Sequence, residues 1–238
     1  MTLGHKLVAE ALGTMLLLTT IVGSGIMGEQ LSGGNVAIAL LANSFATGAL
    51  LVGIILAFGP ISGGHFNPAV TFAAALGREL SWREVPAYVL AQLVGAFSGV
   101  TAAHLMFTQP LFAVSQHVRA GGAQFFSELL ATFGLLSVIY GSSRSRSEAV
   151  PFAVGAYITA AYWFTASTSF ANPAVTLSRA MTNTFSGIRP VDVPGFIAAQ
   201  ILGTLAATAL WSWLLPPLPQ VADREVVRHA ERTSARGQ

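Results

Sequence analysis

The five residues Asn67-Pro68-Ala69-Val70-Thr71 return unchanged as Asn172-Pro173-Ala174-Val175-Thr176. At average residue usage even the first three would recur by chance at roughly one position in ten thousand, so the pair marks an internal repeat. Asn followed by Pro is a helix start. The Asn side chain caps the first turn, and Pro suits the first helical position, where its missing N–H would have had no partner anyway. Both copies lie in stretches that are apolar yet too short to cross a membrane, 62–76 and 167–181. Each reads as a re-entrant segment that dips in and returns as a half-helix.

Further marks recur in the same order around the two copies. Glu10 with Thr14 matches Glu128 with Thr132, and Ala91-Gln92-x-x-Gly95 matches Ala199-Gln200-x-x-Gly203. The apolar residues fall into six blocks, 7–27, 36–58, 85–107, 124–140, 150–166 and 193–215. Each holds about the twenty residues that a spanning helix needs. The chain is therefore expected to be two three-span halves, and an odd number of spans per half makes the repeats inverted. Non-helical backbone at membrane depth must be buried in protein or line a wet cavity. Two inverted loops meeting at mid-membrane provide such a cavity, with half-helix N-termini of about +0.5 charge each facing one another. The amides of Asn67 and Asn172 can then offer donors to a neutral hydroxylated solute, while cations and protons are repelled.

Composition agrees: 53% of the 238 residues are hydrophobic and 9% are charged, against roughly 25% charged in an ordinary soluble domain. The chain has no cysteine, which excludes disulfides, thiolate metal sites and thiol nucleophiles. Block 7–27 is read as a retained span rather than a secretory signal, because further spans follow it. With the N-terminus inside, Lys6, Arg78, Arg83, Arg144, Arg146, Arg224, Arg228, Arg232 and Arg236 fall on the inner side. Only Arg119, Arg179 and Arg189 fall outside. This asymmetry places both termini in the cytoplasm. Trp82, Trp163, Trp211 and Trp213 near span ends read as interfacial anchors. Segment 223–238, of mixed charge, reads as a solvated tail.

Two carboxylates, Glu10 and Glu128, lie deep in spans, where an ionisable side chain is a functional hypothesis by default. A proton relay is one reading. Their equivalent places in the two halves fit a structural task better, each accepting N–H groups of a re-entrant loop. His65, after Ser62-Gly63-Gly64, is expected to be a loop strut hydrogen-bonded to backbone, with pore lining or a pH response as the alternative. His5, His104, His117 and His229 have no partners that suggest a site.

Together, the paired Asn-Pro-Ala loops, the Ser62-Gly63-Gly64-His65-Phe66 approach, Glu10, Glu128, Gln92 and Gln200 resemble the aquaporin (major intrinsic protein) superfamily over roughly 7–215. The resemblance implies an all-α membrane protein with six tilted helices, two half-helices, one pore per subunit and homotetramers. The domain is expected to cover 1–215, with repeats at about 5–107 and 124–215 and a cytoplasmic tail at 216–238. The family's selectivity filter, carried over by counting from the motifs, is Thr47, Ser169, Val175 and either Tyr162 or Ala160, the last left open by a shortened loop. Nearly all members carry arginine where this chain has Val175. Arg179, one turn and about 6 Å further out, could line the outer vestibule or snorkel to headgroups.

Losing that arginine implies a wider, less polar filter. The expected function is a passive channel for small neutral solutes, metalloid hydroxides such as arsenous acid and glycerol-like polyols with some water, similar to aquaglyceroporin-like channels associated with arsenic resistance. A water-selective pore, a coupled secondary transporter, an intramembrane hydrolase and a closed junction protein are the alternatives. No cofactor, metal, catalytic residue or nucleic-acid partner is expected, and the bilayer is expected to be a bacterial cytoplasmic membrane.

Overall fold

The computed structural model describes residues 1–215, so the expected tail lies outside the described residues. Eight helices follow one another: α1 (Leu3–Leu31), α2 (Val36–Ser62), α3 (Pro68–Leu76), α4 (Val85–Met106), α5 (Gly122–Ser145), α6 (Val150–Phe164), α7 (Pro173–Ser178) and α8 (Val193–Leu214). Short 3-10 turns at Ser147–Ala149, Arg179–Met181 and Pro190–Asp192 lead out of α5, α7 and into α8. Among the described residues, five helices are long and apolar enough to cross a membrane: α1, α2, α4, α5 and the Pro190–Leu214 segment that contains α8. The fifth expected span, α6, is shorter at 15 residues and stops at Phe164, two residues before its apolar block ends.

Packing repeats with the sequence. Helix α1 lies against α2 and α4, and α5 lies against α6 and α8 in the same way. The half-helices cross over between repeats, α3 resting on α8 and α7 on α4, while α2 meets α6 at the seam. In lipid the close approach of backbones takes over from the hydrophobic effect as the driving force for helix pairing, and small residues permit it. A Cβ at Gly95 would stand 2.2 Å from the Ala11 carbonyl oxygen, and one at Gly203 would stand 2.5 Å from that of Leu129. The repeated Gly of the Ala-Gln-x-x-Gly pattern is thus the contact point of α4 on α1 and of α8 on α5.

The faces turned away from this interior carry Leu12, Leu41, Phe45, Leu90, Val94, Phe126, Phe152, Ile201 and Leu205, all exposed. Trp82, Trp163 and Trp213 are exposed as well, whereas Trp211 is half-buried beside Gly141, and Trp163 donates its indole N–H to Ser44 Oγ at 3.1 Å.

Candidate functional site: a two-motif pore

Each pentapeptide begins a helix in the manner its sequence demands. Asn67 adopts an extended backbone (φ −156°) and accepts from the Ala69 amide, and Asn172 (φ −156°) accepts from those of Ala174 and Val175. Pro68 and Pro173 occupy the first helical positions. The residues before the two asparagines, Phe66 and Ala171, both stand at φ 48°, a left-handed conformation that non-glycine residues rarely hold.

Those two strained residues are what join the loops. Asn67 donates Nδ2–H to the Ala171 carbonyl at 2.8 Å, and Asn172 donates Nδ2–H to the Phe66 carbonyl at 2.8 Å. One amide hydrogen of each Asn is therefore committed to the opposite loop, and the other remains for the pore.

The strain is held by buried carboxylates. Glu10, wholly inaccessible, accepts Ser62 Oγ–H at 2.7 Å and His65 N–H at 2.9 Å on Oε1, and Phe66 N–H at 2.7 Å and Gln92 Nε2–H at 2.8 Å on Oε2. Glu128 repeats this with Phe170 N–H at 2.8 Å, Ala171 N–H at 2.9 Å and Gln200 Nε2–H at 2.7 Å. Gln92 and Gln200 also reach Thr71 and Thr176, at 2.8 Å each. The last letter of the pentapeptide thus closes a network of Glu, Gln, Thr and loop amides in each half. Equivalent carboxylates at equivalent places fasten the loops; neither lines the pore.

His65 stands between the first motif loop and the cavity, where its two readings, strut and pore lining, meet. Its ring Nδ1 pairs with Thr71 Oγ1 at 3.1 Å instead of with backbone, its ring leans on Tyr88, and the side chain lines the cavity. His104, which the sequence tied to no site, meets Thr182 Oγ1 at 2.7 Å. His229 lies outside the described residues.

A cavity of about 170 Å³ runs between the repeats. It passes from Glu79 and Tyr140 at one end, by Asn67 and Asn172, to Thr47, Tyr162, Ser169, Val175 and Arg179 at the other. Of the two candidates in the fifth span, Tyr162 is buried on this cavity and Ala160 is exposed on the opposite side of α6. Tyr162 OH and Thr47 Oγ1 face each other at 3.4 Å. A count back from Asn172 lands on Ala160, on the exposed face of α6.

Arg179 is 2% exposed, so it does not snorkel to headgroups. Its Nε–H is bonded to the Ser186 carbonyl, and its guanidinium stacks 3.5 Å above the Phe170 ring. Arg119, from the 107–121 loop, approaches the same ring at 4.9 Å. It ties that loop down by donating Nε–H to the Gly187 carbonyl at 2.8 Å and Nη1–H to the Ser167 carbonyl at 3.0 Å. Neither Arg119 nor Phe170 was legible as a site residue, because these bonds join loops far apart in sequence. The one available signal was a basic residue on the outer side, where basic residues are few.

The family model described as Major intrinsic protein matches residues 1–168 and again 146–237. The chain belongs to the major intrinsic protein family. Among its relatives, the Aquaglyceroporin AqpS of Rhizobium meliloti (strain 1021) is 56% identical over 215 residues, covering 90% of this chain and 92% of that one. Aquaporin NIP2-3 of Zea mays is 30% identical over 221 residues, 89% of this chain and 70% of its own. The major intrinsic protein architecture is matched by the X-ray structure of the aquaglyceroporin from Plasmodium falciparum, with a TM-score of 0.70 at 20% identity, covering 88% of this chain and 96% of that one. The chain is accordingly an integral membrane protein with the aquaporin fold.

Proposed function

We propose that this chain is a passive channel whose outer constriction admits small neutral hydroxylated solutes larger than water: glycerol-like polyols and metalloid hydroxides such as undissociated arsenous acid, together with some water. The observation that carries the reading is Val175, a short apolar side chain on the cavity wall at the family's arginine position, with the small Thr47 and Ser169 beside it. Tyr162 is the fourth filter member in this reading. An aquaglyceroporin at 56% identity adds support for polyols. In the same reading the protein is a homotetramer in a bacterial cytoplasmic membrane with both termini in the cytoplasm, which the bias of basic residues supports.

The test is stopped-flow swelling of proteoliposomes in gradients of water, glycerol and arsenous acid, native against Val175→Arg. Native vesicles should swell with all three, and the arginine should slow the larger two at least ten-fold while water flux falls less. Swelling with water alone in the native channel would overturn the assignment.

A further inference from the structure

An apolar residue at position 175 does not leave the outer constriction without charge. Arg179 lines the same stretch of cavity as Val175, Ser169 and Tyr162. Its Nη1 is buried and has no hydrogen-bond partner, and the side chain is held by the Ser186 carbonyl and the face of Phe170. Neither partner is a carboxylate. The ion pairs among the described residues are Lys6 with Glu84 and Arg189 with Asp192, so no acid pairs directly with Arg179; the charges that act on it from a distance are Arg119 and Glu128. A buried cation without a counter-ion is a costly arrangement, and its field is weakly screened by the surrounding protein.

Arg119 differs in kind. Its guanidinium is spent on the Gly187 and Ser167 carbonyls and on Thr168 Oγ1, which makes it a brace for the loops around Phe170. Arg179 alone of the two combines a place on the cavity wall with a donor left free.

We propose that Arg179 is the charge-selecting residue of this channel: it supplies from one turn further out the positive potential that Val175 does not, so that pore width and cation rejection are set by different side chains. In the family arrangement one arginine does both, and relief of the constriction would come with a cation leak. Here valine widens the passage and Arg179 keeps it hostile to protons and metal cations while leaving neutral hydroxylated solutes free to pass. A unit charge about 5 Å from a passing cation, at an effective dielectric of about 20, lowers cation occupancy on the order of a hundred-fold. The inference rests on the reading of position 175 as part of the outer constriction.

The experiment measures potassium leak and glycerol swelling on the same reconstituted preparations of native channel, Arg179→Gln and Arg179→Lys. Potassium leak per unit of glycerol flux should rise at least ten-fold in Arg179→Gln and stay within about three-fold of native in Arg179→Lys. A ratio in Arg179→Gln equal to native overturns the proposal. Should native vesicles fail to swell with glycerol, the wide-pore reading is at fault, and the role of Arg179 is then decided by potassium leak per reconstituted channel: equal leak in native and Arg179→Gln overturns it. If Arg179→Gln does not reconstitute, Arg179→Met serves as a second neutral replacement of similar length, and a potassium leak equal to native overturns the proposal.

Discussion

Replacing Glu10 by Gln removes a charge with almost no change of volume, which makes it the sharpest probe of what holds the first motif loop. Each carboxylate oxygen takes two donors, Ser62 Oγ and His65 N on one, Phe66 N and Gln92 Nε2 on the other. A glutamine keeps one acceptor oxygen and must turn its NH₂ toward one of these pairs. The better choice faces Ser62, whose hydroxyl can rotate and accept, so that the His65 amide is the donor left unpaired. Glu10 is 0% exposed, and water cannot replace the lost partner. One orphaned amide plus the loss of charge assistance on the remaining bonds comes to about 2–4 kcal/mol. The neighbouring Phe66, at φ 48°, is held in place by one of those remaining bonds, so relaxation would carry its carbonyl away from Asn172.

In detergent the expected result is a melting temperature lower by roughly 5–15 °C, at about 2–4 °C per kcal/mol for a chain of this size. Glycerol swelling should fall with it, because the cross-loop bond that aligns the two Asn residues is disturbed. Thr14→Val is the control: it removes only a bond from Thr14 Oγ1 to the carbonyl of Glu10 in its own helix, and should cost less than about 1 kcal/mol. A Glu10→Gln channel that melts within about 2 °C of native and conducts normally would refute the reasoning, since the loop would then need neither the charge nor the fourth acceptor.

Two more substitutions test the frame. Gly203→Ala should destabilise the protein by about 1–3 kcal/mol, because its Cβ would meet the Leu129 carbonyl oxygen at 2.5 Å, whereas Gly53→Ala, with open space around it, should be neutral or slightly stabilising by the same melting assay. Arg119→Gln should free the outer loops, costing about 2–4 kcal/mol. Hydrogen exchange should show faster opening of the 165–170 backbone, and its potassium leak should rise less than that of Arg179→Gln.

What could be read in advance and what could not divides by the range of the interaction. Asn67 and Asn172 cap the turns they begin, and a cap involves residues two and three positions apart, so the pentapeptide alone revealed both half-helices. Glu10, Glu128, Gln92 and Gln200 act over more than forty residues, yet they were visible because duplication wrote each of them twice in register. Features that occur once had no such duplicate. Arg119 reaches Ser167 across 48 positions, and nothing in either segment announces the other. The left-handed Phe66 and Ala171 were equally hidden, since neither residue type prefers that conformation, and buried glutamates hold it from another helix. Arg179 falls between these cases. Helical spacing correctly placed it one turn beyond Val175, but whether its side chain turned outward to lipid headgroups or inward to the cavity depended on the Phe170 face and the Ser186 carbonyl waiting there. Both partners come from the second half of the chain, where Val175 keeps the repeat of Val70 but Arg179 stands opposite Ala74 of the first copy. The departure from the repeat, more than the repeat itself, is therefore where the selectivity of this particular channel is to be sought.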